Sequence, residues 1–457
     1  MLHKVVVANR GEIAVRVLRT LRELGIPSVA VYSEADRDAP HVRLADESLL
    51  IGPASPLESY LNIDALLLAC RKTGADALHP GYGFLAESGA FATQCRDAGV
   101  AFIGPSPEVI DSMGEKTAAR RVVANLGIPV VPGTYRPVGK SGTVRAEADA
   151  LGYPIAVKAA GGGGGIGFRV ARDVAELEHA VETVAAEGAR FFGNGEVYLE
   201  RYFDDPRHVE VQIIADGSGH VVSLGERDCT VQRRHQKLVE ETPAPTIDGD
   251  VRARISEAAK TIACSIGYTS AGTVEGLLVE GDFFFLEMNT RLQVEHPVTE
   301  LVAGVDIVRE QVRVAAGLPL SFRQEDICLR GVAIECRVNA EAAHRQFVPR
   351  PGIITAYRPP AGPGVRIDSG VDLGSTVTPH YDSLLAKVAV WDVSREAATA
   401  RMLRALGEFE LTGVETLLPF HRALLRTRQW VQAETARDLL ADREWLQATS
   451  QEEERKA

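Results

Sequence analysis

No apolar run in this chain approaches the ~20 residues that a bilayer-crossing helix requires, so no membrane partner is expected. The opening Leu2-His3-Lys4-Val5-Val6-Val7-Ala8 is too short for a signal core and meets Asn9, Arg10 and Glu12 at once. It reads as a buried first strand rather than a targeting segment. Cys-x-x-Cys pairs are also missing. The six cysteines (Cys70, Cys95, Cys229, Cys264, Cys328 and Cys336) are scattered, which argues against a zinc site or a disulfide framework and fits a reducing cytoplasm. A basic excess is lacking too: the formal net charge of −12 leaves no global footprint for nucleic acid. Lysine itself is scarce, nine residues against 41 arginines. Lys116, Lys158 and Lys237 therefore carry more information than lysines usually do, a compact point charge being suited to phosphates. Finally, the turn after the first strand, Asn9-Arg10-Gly11-Glu12, has no Gly-x-Gly-x-x-Gly, so a dinucleotide site there is unsupported.

What is present is the profile of a globular protein. A hydrophobic fraction of 45% with 25% charged residues over 457 residues predicts two or three domains. Through the first hundred or so residues, short apolar strands (Val5 to Ala8, Ser28 to Tyr32, Ala75 to Leu78, Val100 to Ile103) alternate with amphipathic helices. That alternation predicts a parallel sheet covered by helices. A Pro/Gly-rich linker runs from Ile128 to Gly142. Then Ile155-Ala156-Val157-Lys158, the five glycines Gly161 to Gly165, and Phe168-Arg169-Val170 read as strand, glycine loop, strand: a hairpin-like lid. Two further strands are expected at Val197 to Tyr202 and Val209 to Ile214. A third block of strands, proline-rich turns and a late helix, Glu396 to Leu406, begins near Gly331. No internal repeat is visible, and the charged tail Gln451 to Lys456 is expected to fray.

The sharpest local argument concerns Thr273 to Asn289. Two apolar runs flank Gly281-Asp282, a tight antiparallel turn. With the turn centred on Gly281, Glu275 and Glu287 fall opposite each other, and period-two alternation puts Asn289 on the same face, with Arg291 beyond if the strand continues. Two carboxylates and an amide oxygen on one patch suit a hard cation such as Mg²⁺. The plainer reading is an exposed hairpin with solvated acids, but strands this apolar bury at least one face. The glycine run would bring backbone N–H groups close to phosphate oxygens, with Lys158 in reach of the same anion; flexible linkers can look alike. Gln232-Arg233-Arg234-His235-Gln236-Lys237 is a basic island in an acidic chain. Such an island is either a solvated face or a seat for a small anion or a nucleotide. His208 and His235, taken singly, are more often structural than catalytic.

Read together, these words resemble a known family. Glu287-Met288-Asn289-Thr290-Arg291-Leu292-Gln293-Val294-Glu295-His296-Pro297 is similar to the signature of biotin carboxylases in the ATP-grasp superfamily. So are Ala8 to Ala14, His79-Pro80-Gly81-Tyr82-Gly83-Phe84-Leu85, Arg227-Asp228-Cys229 running on to Lys237, and Tyr381-Asp382-Ser383 with Ala386-Lys387. The likeness covers nearly the whole chain. It implies an α/β and α+β architecture: an N-terminal Rossmann-like parallel-sheet domain (1–115), a central ATP-grasp domain (116–320, lid about 131–203) and a C-terminal mixed α/β domain (331–446). The implied reaction is ATP-driven carboxylation of biotin on a separate biotin carboxyl carrier protein: bicarbonate attacks the γ-phosphate, and the resulting carboxyphosphate yields CO₂ for biotin.

The resemblance also implies residue roles. Lys116, Lys158, Gly164, Gly165, Glu200, Arg201, Tyr202, Phe203, His208, Gln232, His235 and Leu277 would contact ATP. Glu275, Glu287 and Asn289 would hold two Mg²⁺ or Mn²⁺ ions, the two glutamates also facing ATP. Lys237, Arg291, Gln293, Val294 and Glu295 would form the bicarbonate pocket, with Glu295 as base. Arg337 would steady the enolate-like biotin oxygen, with Tyr82 beside it. A carboxyltransferase partner and a homodimer are the family's common context, and acetyl-CoA the expected acceptor, with propionyl-CoA or pyruvate as alternatives.

This sequence departs from the family pattern at Ile166, where Arg or Lys often follows the glycines, which predicts somewhat weaker ATP binding in the closed lid. Arg201 and Thr242 replace a common Lys and Ala. No Met-Lys dipeptide occurs, so the biotin-attachment motif is absent, and either a separate carrier or a place within a larger multidomain enzyme is expected. Another acylphosphate-forming ATP-grasp ligase is the main competing enzyme, distinguished by Lys237, Arg291 and Arg337 together. A silent ATP-binding protein is opposed by the intact Glu275, Glu287, Asn289, Arg291 and Glu295.

Overall fold

A computed structural model describes residues 2–138, 141–159, 167–234 and 236–454. Strands β1 (Val5–Val7), β2 (Ser28–Ser33), β3 (Glu47–Gly52), β4 (Ala77–His79) and β5 (Ala101–Phe102) form one parallel sheet in the order β3-β2-β1-β4-β5. Alternation indicates every strand but β3, whose mixed pattern Glu47-Ser48-Leu49-Leu50-Ile51 leaves it largely exposed at the sheet edge. Chain order reverses between β1 and β4. Their carboxyl ends, Asn9 to Glu12 and Pro80 to Tyr82, flank the crevice where doubly wound sheets bind ligands. Asn9 ties the two loops, its Nδ2 donating to Pro80 O (2.8 Å) and Tyr82 O (2.7 Å). The fit depends on Gly81, at φ +64, where an added Cβ would lie 2.8 Å from that same nitrogen.

Strands β6 (Ile155–Ala159), β7 (Phe168–Ala171) and β8 (Val197–Arg201) make a three-stranded sheet, with β6 central and antiparallel to both. β6 and β7 are the expected hairpin; its glycine tip, including Gly164 and Gly165, lies outside the described residues. The strands read at Val197 and Val209 do not pair: β8 belongs to this small sheet, whereas β9 (Arg207–Ala215) opens the large one. The proline-rich segment after Ile128 is no loose linker, since Val131 is buried and its amide donates to Phe285 O at 3.3 Å.

The large sheet is antiparallel and eight-stranded. It runs β13 (Asp282–Asn289), β12 (Ser270–Val279), β9, β10 (Val221–Arg233), β11 (Gln236–Thr242) and β14 (Val332–Asn339), then the strands Leu384–Asp392 and Val365–Ser369. The third block thus extends the central sheet, because β14 pairs with β11 from Val239↔Cys336 to Thr242↔Ala333, and adds three small two-stranded sheets of its own. The helix expected from Glu396 to Leu406 spans Arg395–Glu408 and packs on this extension. The C-terminal helix continues to Glu454, so the tail stays helical further than its charge suggests.

The β12–β13 hairpin reaches the expected register by an unexpected route. Its turn is the pair Glu280-Gly281, both at positive φ (51 and 91), as two-residue hairpins of twisted strands prefer. That turn alone would set Glu275 opposite Leu286. A bulge between Glu275 and Gly276 adds one residue to β13, and Glu275 meets Glu287 after all.

Candidate active site

All described residues given a site role from the sequence line one cleft of about 1600 Å³ between the three blocks. Gly164, Gly165, Ile166 and His235 lie outside the described residues. Strand register builds the cleft floor. Across β13, β12, β9 and β10, the residues Glu287, Glu275, Glu210 and Arg227 stand in one row. Three carboxylates side by side would repel strongly in a buried sheet, yet Glu210 and Glu275 are almost wholly enclosed. The compensation comes from above the row. The Lys237 ammonium, on β11, binds Glu210, Glu275 (2.8 Å) and Glu295 (2.6 Å). Arg227 Nε donates to Glu210 Oε1 at 2.5 Å, and His208 Nε2 lies 3.0 Å from Glu275 Oε2.

The electrostatics follow from that clustering. Burial opposes charge on Lys237, but Glu210, Glu275 and Glu295 hold it protonated well above the usual lysine range. Burial likewise works against the Glu275 carboxylate, and Lys237 with His208 outweighs it, leaving Glu275 well below its ordinary value. His208 is pushed down by burial and up by Glu275 and Glu210, with the net result raised to about 9. Glu295 ends below the ordinary glutamate because Lys237, helped by Arg337 and Arg227, overcomes its desolvation. It is therefore an ionised carboxylate at neutral pH, placed to accept a proton.

Arg337 stands on β14 beside this cluster. Its Nε donates to Glu240 Oε1 (2.6 Å) and its Nη2 to Glu295 Oε2 (2.9 Å). Burial lifts Glu240 to about 7 despite that guanidinium. β13 ends at Asn289, so Arg291, Gln293 and Glu295 sit on an irregular segment leading into the helix His296–Ala303 rather than on a continued strand. Contacts aim them instead. Arg291 Nη2 donates to Asn289 Oδ1 (2.9 Å), Gln293 Nε2 to Glu275 Oε1 (2.5 Å), and Asn289 Nδ2 to the same Glu275 oxygen (2.7 Å).

Opposite the floor, Lys116 Nζ lies 3.5 Å from Glu287 Oε2, and Lys158 on β6 pairs with buried Glu200 on β8, which Arg120 also grips. At Arg201 and Tyr202 the backbone N–H groups already donate within the fold, to Pro132 O (2.7 Å) and Pro154 O (2.9 Å). Phe203, Gln232 and Leu277 face the same space. Tyr82 donates its hydroxyl to Glu12.

Sequence reasoning passes over four participants. Glu210 lies two residues after His208 on β9, so period-two alternation could have put both on one face. Arg227 belongs to a family word but receives no role from it. Arg120 and Glu87 have no local signal; Glu87 reaches from the first block to accept from Arg291 Nε (3.0 Å) and Thr290 N (3.1 Å).

The donors suit a divalent metal of the magnesium class: carboxylate oxygens of Glu275 and Glu287 with Asn289 Oδ1 at one strand end. Among the described residues, the tightest groups of possible ligands are His208, Glu210 and Glu275, and Glu210, Cys229 and Glu295. Both already surround Lys237. No helix among the described residues is long and apolar enough to cross a membrane, and all six cysteines are free.

Comparison with known proteins accords with this arrangement. Family models match in succession: biotin carboxylase, N-terminal domain (residues 1–110), carbamoyl-phosphate synthase L chain, ATP binding domain (115–323), and biotin carboxylase C-terminal domain (335–442). The chain is 50% identical over 434 residues to a pyruvate carboxylase component of Methanothermobacter thermautotrophicus, covering 95% of this chain and 88% of that protein. It is 51% identical over 436 residues to biotin carboxylase of Haemophilus influenzae, covering 95% and 97%. The biotin carboxylase domain dimer of Hydrogenobacter thermophilus 2-oxoglutarate carboxylase, solved with MgADP, ADP and bicarbonate, superposes with a TM-score of 0.93 at 43% identity, covering 97% of this chain and 99% of that one. By identity and by shape over nearly its whole length, the chain belongs to the biotin carboxylase family of ATP-dependent ligases.

Proposed function

We propose that this chain carboxylates biotin on a separate carrier protein, consuming ATP and bicarbonate. One observation carries the reading: Lys237, Arg291, Gln293, Glu295 and Arg337 converge beside the Glu275–Glu287 pair in a single cleft. In this reading Arg291 and Gln293, with the Val294 backbone, seat bicarbonate, and Glu295 takes its proton. The freed oxygen attacks the γ-phosphorus, the bond to the bridging oxygen breaks, and ADP leaves with that electron pair. Lys116 and Lys158 offset the phosphate charge as it moves. Carboxyphosphate then divides into CO₂ and phosphate; the phosphate takes the proton from biotin's ureido nitrogen, which attacks CO₂. Arg337 steadies the ureido oxygen as it gains negative charge, with Tyr82 at the rim. Magnesium, held by Glu275, Glu287 and Asn289, would neutralise phosphate charge during transfer. His208, Gln232 and Leu277 flank the nucleotide, and the segment Glu200 to Phe203 is its hinge.

The organisation this reading uses is 1–115, 116–320 with a lid of about 131–203, and 331–446. It makes the chain the first half-reaction of an acyl-CoA carboxylase, acetyl-CoA first, working with a carboxyltransferase as a homodimer in the cytoplasm. The likeness to the Methanothermobacter pyruvate carboxylase component supports the alternative acceptor, pyruvate. Bicarbonate-dependent ATP hydrolysis with and without free biotin tests the core of the proposal: stimulation by biotin is expected, and its absence would reject the reaction. Reconstitution with acetyl-CoA and pyruvate carboxyltransferases would separate the acceptors.

A further inference from the structure

Lys387 belongs to a family word that assigns it no role. In the fold its side chain is 0% exposed. It stands on the strand Leu384–Asp392, opposite Arg337 of β14 on one side and Asp368 of Val365–Ser369 on the other. Its Nζ donates to the Val294 carbonyl at 2.6 Å and lies 3.3 Å from Glu12 Oε1 and 3.9 Å from Asp368 Oδ2. Enclosing an ammonium is costly, and a methionine would occupy similar space without that cost. The lysine is therefore explained best by what its contacts hold in place.

Val294 lies in the irregular stretch between the end of β13 and the helix His296–Ala303, directly between Gln293 and Glu295. No sheet ladder sets that stretch. A fixed donor on the Val294 carbonyl orients the Val294–Glu295 peptide and so the direction in which Glu295 leaves the chain. On its other side Lys387 shares Glu12 with the Tyr82 hydroxyl. Here the blocks touch closely: a Cβ on Gly370 would come within 2.5 Å of Glu12 N.

Resting on the reaction proposed above, we infer that Lys387 is a positioning residue: through the Val294 carbonyl it sets Gln293 and Glu295, and through Glu12 it ties their placement to the first block. The test replaces Lys387 by methionine in the full chain and measures KM for ATP and for bicarbonate separately, with free biotin present. An ångström-scale misplacement should lower kcat/KM for bicarbonate about 10- to 100-fold while leaving KM for ATP within about twofold. Because K387M strands the buried Glu12 carboxylate, Glu12→Gln combined with Lys387→Met removes both charges together; it should melt near wild type and keep the bicarbonate defect. Either folded variant with wild-type kcat/KM for bicarbonate would overturn the inference, as would proportionate losses toward ATP and bicarbonate. Failure of both variants to fold would also overturn it, by assigning Lys387 to the scaffold. A wild-type chain without bicarbonate-dependent hydrolysis would instead reject the reaction itself, and this role with it.

Discussion

On the cleft floor, Lys237 and Arg337 keep 11% of their side-chain surface, Glu275 6% and Glu295 2%, and each charge touches at least one opposite charge. Across the cleft, Lys116 keeps 31% and Lys158 19%. Most of the floor is wired by the sheet: Glu210, Lys237, Glu275 and Arg337 come from β9, β11, β12 and β14 at fixed register, and Glu295 joins them from the segment after β13. The other side meets solvent with long side chains. In the reaction proposed above, groups that hold a small anion in one orientation are set before it arrives, whereas groups that meet a large polyphosphate can adjust to it.

The strongest way to break this contrast is Lys237→Met. It leaves Glu210, Glu275 and Glu295 facing one another without their ammonium, and removing one partner from a buried charge cluster costs about 3–5 kcal/mol. Denaturant unfolding should show a loss of that order together with loss of bicarbonate-dependent turnover. A variant as stable as wild type would mean the floor is not wired as described. Next comes Glu295→Gln, which keeps the shape and removes the proposed proton acceptor. Turnover should fall about 10²- to 10⁴-fold, the range for losing a general base. Steady-state assays showing KM for ATP disturbed more than kcat would move Glu295 to the nucleotide side.

How much of this is legible in the sequence depends on how local each cause is. The parallel sheet follows from strand–helix alternation. The Glu275–Glu287 apposition follows from a turn and a period of two, though a bulge is needed to correct a turn one half-step away from the assumed centre. Glu87, Arg120 and Lys387 are not readable as parts of the site. Their partners lie 204, 80 and 93 positions away, and no periodicity reports such a distance. The continuation of the central sheet into β14 is hidden for the same reason: an apolar strand does not state which edge it will join.

On the open side, Lys116→Met should raise Kd for ATP about tenfold, roughly one charge-assisted phosphate contact. It should alter stability by no more than about 0.5 kcal/mol, as for other partly exposed positions. Isothermal titration with ATP and a melting curve would check both. A stability loss comparable to that of Lys237→Met would erase the distinction between the two sides.

What supports the floor from beneath should respond to pH. His421, on the helix Leu418–Leu424, is fully buried and its Nε2 lies 2.7 Å from the Arg337 carbonyl. Burial holds its pKa down to about 4, against about 6.5 in an unfolded chain. A depressed value means the unfolded chain takes up the proton first. The contribution of neutral His421 is thus complete above about pH 6.5 and is lost as pH falls toward 4. His421→Gln has no such proton to gain. The stability difference between wild type and variant should therefore shift toward the variant by up to about 3 kcal/mol between pH 7 and pH 4. Comparing the two proteins by denaturant unfolding at each pH cancels the other buried groups that titrate in this window, among them Glu240, whose raised value acts in the opposite sense. A constant difference across the window would show that folding leaves the His421 pKa near its unfolded value, so that the folded protein takes up a proton there well above pH 4. The floor would then carry one more cation beneath Arg337, and its balance of charge would have to be drawn again.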